Sequence, residues 1–458
     1  MEHVTQNLTE GKLVRQIFLF SVPLMISNLL QALFNMADIM VVGQFVGPEA
    51  LGSVGSTTIL VTLFTGFLIG MGNGVNVMVA RYFGARSDRD VSETVHTSLI
   101  LCLLEGVVIL VLGQLFSRAM LELLNTKEVL IDDAALYLRI YFLGMPAMAV
   151  YNFGNAVFSA VGNTKKPLLF LTTAGVANVV MNLFFVIVCR LGVAGVAIAS
   201  AASQCICAVL IVVSLLRSKE NIALRPRELK VSPDKARFVL RLGIPAGFQN
   251  AIFAIANLFI QSGVNSFDAV TVEGNSAAAN SDAIIYNVMA AFYTACATFM
   301  GQNLGARKRD RVMKSYFIGV TYSFAAGAVL GGALYLFGRE FLSLFANDPA
   351  VIEAGLQRTR IMGFSYAVSA FMDCTIAACR GIGKSLAPTI IVIMGSCVFR
   401  VAWIYTVFAH FHTIPSLYLL YIFSWTITAI AEIICFTVSY KKLALPPERP
   451  IAGKEAAV

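Results

Sequence analysis

"FGARSDRDV" at residues 83–91 and "LGARKRDRV" at residues 304–312 are nearly the same phrase written twice, 221 residues apart. The offset recurs. "LRIYFLGMP" from Leu138 faces "TRIMGFSYA" from Thr359 and sets Arg139 on Arg360. "VGNTKKP" faces "IGKSLAP", so Gly162 meets Gly383 and Pro167 meets Pro388. At 222, "FSVPLMISN" faces "RLGIPAGFQN", with Pro23 on Pro245 and Asn28 on Asn250. An offset held across most of a half-chain marks an internal duplication, which has to be read before any single element.

Each copy is a membrane unit. The chain is 58% hydrophobic and 13% charged over 458 residues, whereas soluble domains carry about 25% charged residues. Runs long enough to cross a hydrocarbon core, about 20 residues, recur near 15–42, 54–80, 92–117, 134–158, 167–189, 193–216, 237–264, 277–302, 312–337, 355–379, 388–410 and 415–440. Six spans per half is an even number, so both halves enter from the same side. They are then parallel repeats related by an axis along the membrane normal, with a site between bundles. The expected fold is an all-α polytopic membrane protein of two six-helix lobes around a central cavity. Its parts are an N-terminal segment 1–14, a first lobe 15–216, a basic linker 217–236, a second lobe 237–442 and a tail 443–458.

Basic residues orient it. Of 34 Lys and Arg, 26 fall on the side that holds both termini, and seven, Arg358 among them, fall opposite. Positive charge stays inside, which predicts cytoplasmic termini in a cell (plasma or inner) membrane. It also gives the net charge of +8 a reason other than nucleic acid. The polar N-terminus lacks the layout of a signal peptide, so the first span reads as retained. Nine cysteines lie in or at the ends of apolar runs, and their spacing suggests neither a disulfide framework nor a zinc site.

Polar residues inside spans carry the functional reading, because an intramembrane charge costs about 2.5–3.5 kcal/mol even on a lenient scale and needs a partner or water. Asn28, Gln31, Asn35 and Asp38 step by three, four and three along one helical face. Asn178 and Asn182 stand one turn apart on the fifth span, and Ser200 falls at similar depth on the sixth. Carboxylate, amide and hydroxyl oxygens together make a site for a hard cation such as Na⁺, and the same carboxylate can instead carry a proton. In the second half, Asn250, Asn257 and Gln261 form a polar face on the seventh span, and Asp373 on the tenth has Asn152 as its repeat partner. These residues, with the first-span stripe, are candidates for a substrate cavity. Arg400 and Glu432, on consecutive spans, are expected to form a structural ion pair; Glu105 has no evident partner. Asp132-Asp133 lacks the second acidic motif of a membrane prenyltransferase, and no Gly-rich phosphate loop, Cys-His pair or Ser-His-Asp arrangement stands out. The expectation is a protein that is no enzyme and holds no cofactor.

"FNMADIMVVGQFVGPEALGSVGS", "VARYFGAR", "NFGNAVFSAVGNTKKP", "GVAGVAIAS", "GQNLGAR" and "CRGIGKSLAP", in this order and at this repeat spacing, resemble the multidrug and toxic compound extrusion (MATE) family of secondary transporters. The likeness runs from about Gly11 to Lys442. It implies two lobes around a cavity and export of organic cations and amphiphilic drugs by Na⁺ or H⁺ antiport. Asp38 matches the family's first-helix coupling aspartate. Asn178 matches a fifth-helix asparagine of the sodium site, and Ser200 stands for a sixth-helix threonine there. Asn182 falls where some members have a second aspartate. The first lobe resembles the DinF branch, whereas Asp373 resembles the tenth-helix aspartate of the NorM branch, whose seventh-helix glutamate is missing here. Drugs and membrane lipid are the expected partners of a monomer. Rival readings are a lipid-linked oligosaccharide flippase of the same superfamily and, further off, a membrane-embedded enzyme.

Overall fold

A computed structural model describes residues 5–443; residues 1–4 and the expected tail beyond 443 lie outside the described residues. The chain runs through α1 (Leu13–Phe45), α2 (Pro48–Gly84), α3 (Asp88–Leu123), α4 (Glu128–Leu143), α5 (Met145–Ala160), α6 (Lys165–Val188) and α7 (Gly192–Leu216). It continues through α8 (Pro233–Val264), α9 (Ala269–Gly305), α10 (Arg309–Leu342), α11 (Pro349–Gly381), α12 (Leu386–Phe411) and α13 (Ile414–Lys441). Eleven of these helices are long and apolar enough to cross a membrane, and the pair α4–α5, bent by 47°, makes a twelfth span. The bend falls at Gly144, where a Cβ would stand 3.0 Å from Ala201 Cα of α7; Pro146 just beyond it has no N–H to continue the α4 ladder.

The duplication is written into the backbone. Arg86 and Arg307, one repeat apart, both take left-handed φ of 56° and 60°, and Gly162 and Gly383 take 88° and 86°. A non-glycine residue at positive φ is uncommon, so matching outliers at matching positions mean matching helix ends.

Helices start earlier than their apolar runs. α8, α9 and α11 begin at Pro233, Ala269 and Pro349 rather than at 237, 277 and 355. Polar "VTVEGNSAAANSD" stays helical because it packs on α11, where a Cβ on Gly274 would stand 2.6 Å from Val351 O and 2.7 Å from Gly355 N. Tertiary packing, not propensity, sets these ends.

One apolar core runs from Val41 to Leu242, filling the first lobe and taking in Val239 and Leu242 of α8, and a second, from Ile285 to Phe436, lies within the second lobe. The lobes are joined along the halves of their helices nearest the chain ends. Thr298 Oγ1 donates to Asn76 Oδ1 at 2.9 Å, and Gln302 Nε2 donates to Ala160 O at 2.6 Å. Gln302 Oε1 accepts from Leu8 N at 3.0 Å. At mid-helix, Asn28 Nδ2 donates to Asn287 O at 3.0 Å and Asn250 Nδ2 to Gly66 O at 2.8 Å. Past these midpoints no hydrogen bond joins the lobes among the described residues. Both described chain ends sit on the joined face: Arg311 Nη2 donates to Leu8 O at 3.1 Å, and Tyr440 Oη donates to Arg309 O at 3.1 Å. The linker between lobes is docked on α3. Arg225 N donates to His96 Nε2 and Ser232 N to Thr97 Oγ1, both at 3.0 Å.

Candidate functional site

Three helices bring the first-lobe candidates together. α6 carries Gly175 where the Phe34 ring of α1 packs, and a Cβ there would collide with that ring. This close approach lowers Asp38 onto the polar side of α6. Asn182 Nδ2 donates to Asp38 Oδ1, and Ser200 Oγ of α7 donates to Asp38 Oδ2 at 3.1 Å. Asn182 Nδ2 also reaches Asn178 Oδ1 at 3.2 Å. The helix goes into a π-helical turn, Phe184–Val188, immediately after Leu183, a distortion frequent at functional sites.

Asp38 has no cationic partner: the ion pairs among the described residues do not include it. Asn178, Asn182 and Ser200 are all buried. Asn182 Oδ1 is buried and accepts no hydrogen bond. Buried acceptors are nearly always paired, so an orphaned oxygen beside an unpaired carboxylate marks a place for a cation or a proton. The four residues offer five oxygens from two carboxylate, two amide and one hydroxyl position, a donor set suited to a hard ion.

The substrate-cavity candidates divide. Gln31, Asn35, Asn257 and Gln261 are exposed in the half beyond the lobe junction; Gln261 donates only to Asn265 Oδ1, at 2.8 Å on its own helix. Asn28 and Asn250 tie the lobes together as described above, and Asn152 Nδ2 donates to Met148 O of its own helix at 3.0 Å. In this conformation those three bind backbone. Asp373 is buried, its Oδ2 without a donor, beside Tyr293 and in the field of Arg400 and Arg380.

The expected Arg400–Glu432 pair is not formed. Arg400 Nε donates to Ser424 Oγ at 3.1 Å, and its guanidinium sits 4.7 Å from the Tyr421 ring centroid and 5.6–5.7 Å from those of Trp425 and Phe253. Ser424 precedes Glu432 by eight residues, about 12 Å along the helix, beyond reach. Aromatic faces replace the carboxylate as the guanidinium's partner.

The second lobe also holds a polar cluster that no sequence motif announces. Arg358, expected in an outer segment, lies buried inside α11 and pairs with Asp282 of α9. Its Nη1 donates to Asn275 Oδ1, Tyr366 Oη donates to Asp282 Oδ1, and Tyr418 Oη donates to Asn275 Oδ1 at 2.6 Å. The signal for it is an acid and a base inside two spans that pack together, Asp282 on α9 and Arg358 on α11.

A MatE family model matches residues 23–184 and 245–406, one match in each lobe. Relatives include the probable multidrug resistance protein YoeA of Bacillus subtilis, 27% identical over 395 residues and 85% of both chains. The probable multidrug resistance protein YpnP of the same organism is 29% identical over 79% of this chain and 80% of its own. An FAD transporter of Shewanella oneidensis is 24% identical over 70% of this chain and 72% of its own. Among solved structures, a MOP superfamily transporter from Pyrococcus furiosus superposes with a TM-score of 0.89 at 22% identity, covering 96% of this chain and 98% of that one. An outward-facing multidrug resistance MATE family transporter gives 0.88 at 22% identity, over 96% and 99%. At that identity the likeness speaks for the fold.

Proposed function

The chain belongs to the MatE family, and we propose that it is a secondary active multidrug efflux antiporter. It exports organic cations and amphiphilic drugs across the cell membrane in exchange for Na⁺ or H⁺. The observation that carries this is the Asp38 carboxylate, held by Asn182 and Ser200 with no cationic partner and with an orphaned amide oxygen beside it. The protein's relatives named as multidrug resistance proteins support the substrate class. The basic residues around both chain ends support a cytoplasmic location for that face, so the unjoined half of the lobes faces outward.

In that state Asp38, Asn178, Asn182 and Ser200 take up the coupling ion from outside. The carboxylate exchanges hydrogen bonds for the ion, α1 repacks against α6 and α7, and drug held along Gln31, Asn35, Asn257 and Gln261 leaves outward. The lobes then part on the cytoplasmic side and the ion leaves inward. Ion and drug need only different affinities for the two states. The driving force is adequate: a 100-fold drug gradient opposes export by about 2.8 kcal/mol, and one positive charge moving inward down 100 mV supplies about 2.3 kcal/mol before any concentration term.

Ethidium efflux from proteoliposomes tests this, with sodium and pH gradients imposed separately on wild type and Asp38→Asn. One gradient should drive efflux in wild type and not in the variant, which names the ion. If neither gradient moves dye, or the variant couples like wild type, the reading fails.

A further inference from the structure

Glu432 is the oddest group in the second lobe. It is 0% exposed, and neither of its carboxylate oxygens has a hydrogen-bond partner. Leaving a buried carboxylate bare is expensive, so the surroundings should say what completes it. One turn further along α13, on the same face, stands Cys435, and across from them on α11 stands Cys379. The two thiol sulfurs and a Glu432 oxygen all lie within 4.8 Å of one another. No pattern in the sequence announces this, because the two cysteines are 56 positions apart and belong to different helices.

We propose that Cys379, Glu432 and Cys435 form a binding site for a thiophilic divalent cation of the zinc or cadmium kind. The donor types are right: two sulfurs and one carboxylate oxygen, leaving a fourth tetrahedral position for water. In a zinc site of this composition, with Zn–S near 2.3 Å and Zn–O near 2.0–2.2 Å, ligand atoms stand roughly 3.5–3.8 Å apart. The present separations exceed that by about 1 Å at most, a distance side-chain rotation covers.

Charge supports the same assignment. Two thiolates and a carboxylate carry three negative charges. Arg380, whose field acts on Glu432, supplies one positive charge but forms no ion pair with it among the described residues: its Nη2 donates to Gln249 Oε1 at 2.8 Å. A divalent cation brings the buried group to neutrality. Cys435 is only partly buried, and α11 and α13 end a few residues on, at Gly381 and Lys441, on the basic face. Bound metal would brace α11 against α13 in the second lobe, away from Asp38 in the first. Binding displaces the thiol protons to solvent, so affinity rises with pH.

The test is a cadmium titration of the purified full-length protein in detergent, followed by the ultraviolet sulfur-to-cadmium charge-transfer band, with zinc as competitor. One equivalent should saturate the band in wild type. Cys379→Ser and Cys435→Ser should each weaken binding at least tenfold and shrink the band, and Glu432→Gln should weaken binding while keeping the band. Cys189→Ser, at an exposed cysteine outside the cluster, should bind cadmium like wild type. Alkylation mapping of the wild type supplies a readout independent of variant folding: zinc should slow labelling of Cys379 and Cys435 and leave Cys189 and Cys205 unaffected. The proposal falls if no saturable band forms, if the band survives in the Cys379→Ser/Cys435→Ser double variant, or if zinc leaves labelling of the pair unchanged. Those results would point to Glu432 being completed by a rotated Arg380 instead.

Discussion

The end of α2 crosses the end of α9 where two glycines, one repeat apart, face each other's helix. A Cβ on Gly305 would collide with Arg81 O and stand 2.9 Å from Arg81 C and from Ala85 N; a Cβ on Gly84 would collide with Gln302 O and stand 2.6 Å from Gln302 C. Arg81 and Gln302 are themselves repeat partners, so the pseudo-twofold axis passes through this crossing. Carbon contacts rest at about 3.5–4.0 Å, so Gly305→Ala requires the helices to separate by roughly 1 Å. Overpacking of this kind costs about 1–3 kcal/mol, and only in the conformation where the lobes are joined on the basic face. A conformation parted there carries no such cost, so the equilibrium should move toward it by about 5–150-fold. Hydrogen–deuterium exchange of amides 81–87 and 302–308 should quicken by that factor. Gly84→Ala should act in the same way, and the double variant should fall short of the sum, because neighbours sharing one contact are not additive. Gly332→Ala, whose Cβ would meet nothing within 4 Å, is the control and should exchange like wild type. If Gly305→Ala lowers the melting midpoint while exchange at both helix ends stays unchanged, the crossing is a fixed joint that does not part.

The Asp282–Arg358 pair, in which Arg358 is buried and Asp282 partly exposed, predicts an asymmetric mutational response. Asp282→Ala leaves the Arg358 charge uncompensated and should cost about 3–5 kcal/mol, read as a lowered melting midpoint in detergent; Asp282→Ala combined with Arg358→Met should recover a large part of it. Thr97→Val removes the hydroxyl that accepts from Ser232 N and donates to Lys230 O at 3.4 Å. It should loosen the linker by about 1–3 kcal/mol, seen as faster tryptic cleavage after Arg227 and Lys230; cleavage at the wild-type rate would mean that the linker is held elsewhere.

The repeat, the number of spans, their order and the first-lobe oxygens were all legible in the sequence. Each rests on a signal local to one helix or on one part of the chain compared with another. Asp38, Asn178 and Asn182 announce themselves because charge and amide groups are costly in an apolar run, and the spacing that aligns them is helical periodicity. Depth along a span can also be counted, which is how Ser200 was placed beside Asp38. What residue counting cannot supply is the rotation of one helix against another. Arg400 and Glu432 looked like partners at comparable depth, yet Arg400 turns into a cage of Tyr421, Trp425 and Phe253, and Glu432 turns toward Cys379 of α11. Asp282 and Arg358, which no sequence pattern links, meet because Gly274 and Gly355 let α9 and α11 nearly touch. Sequence alone determined which residues enter the membrane and which of them are too polar to face lipid. Only the packed helices decided who meets whom, because azimuth is set by interlocking side chains and close glycine contacts drawn from the whole bundle.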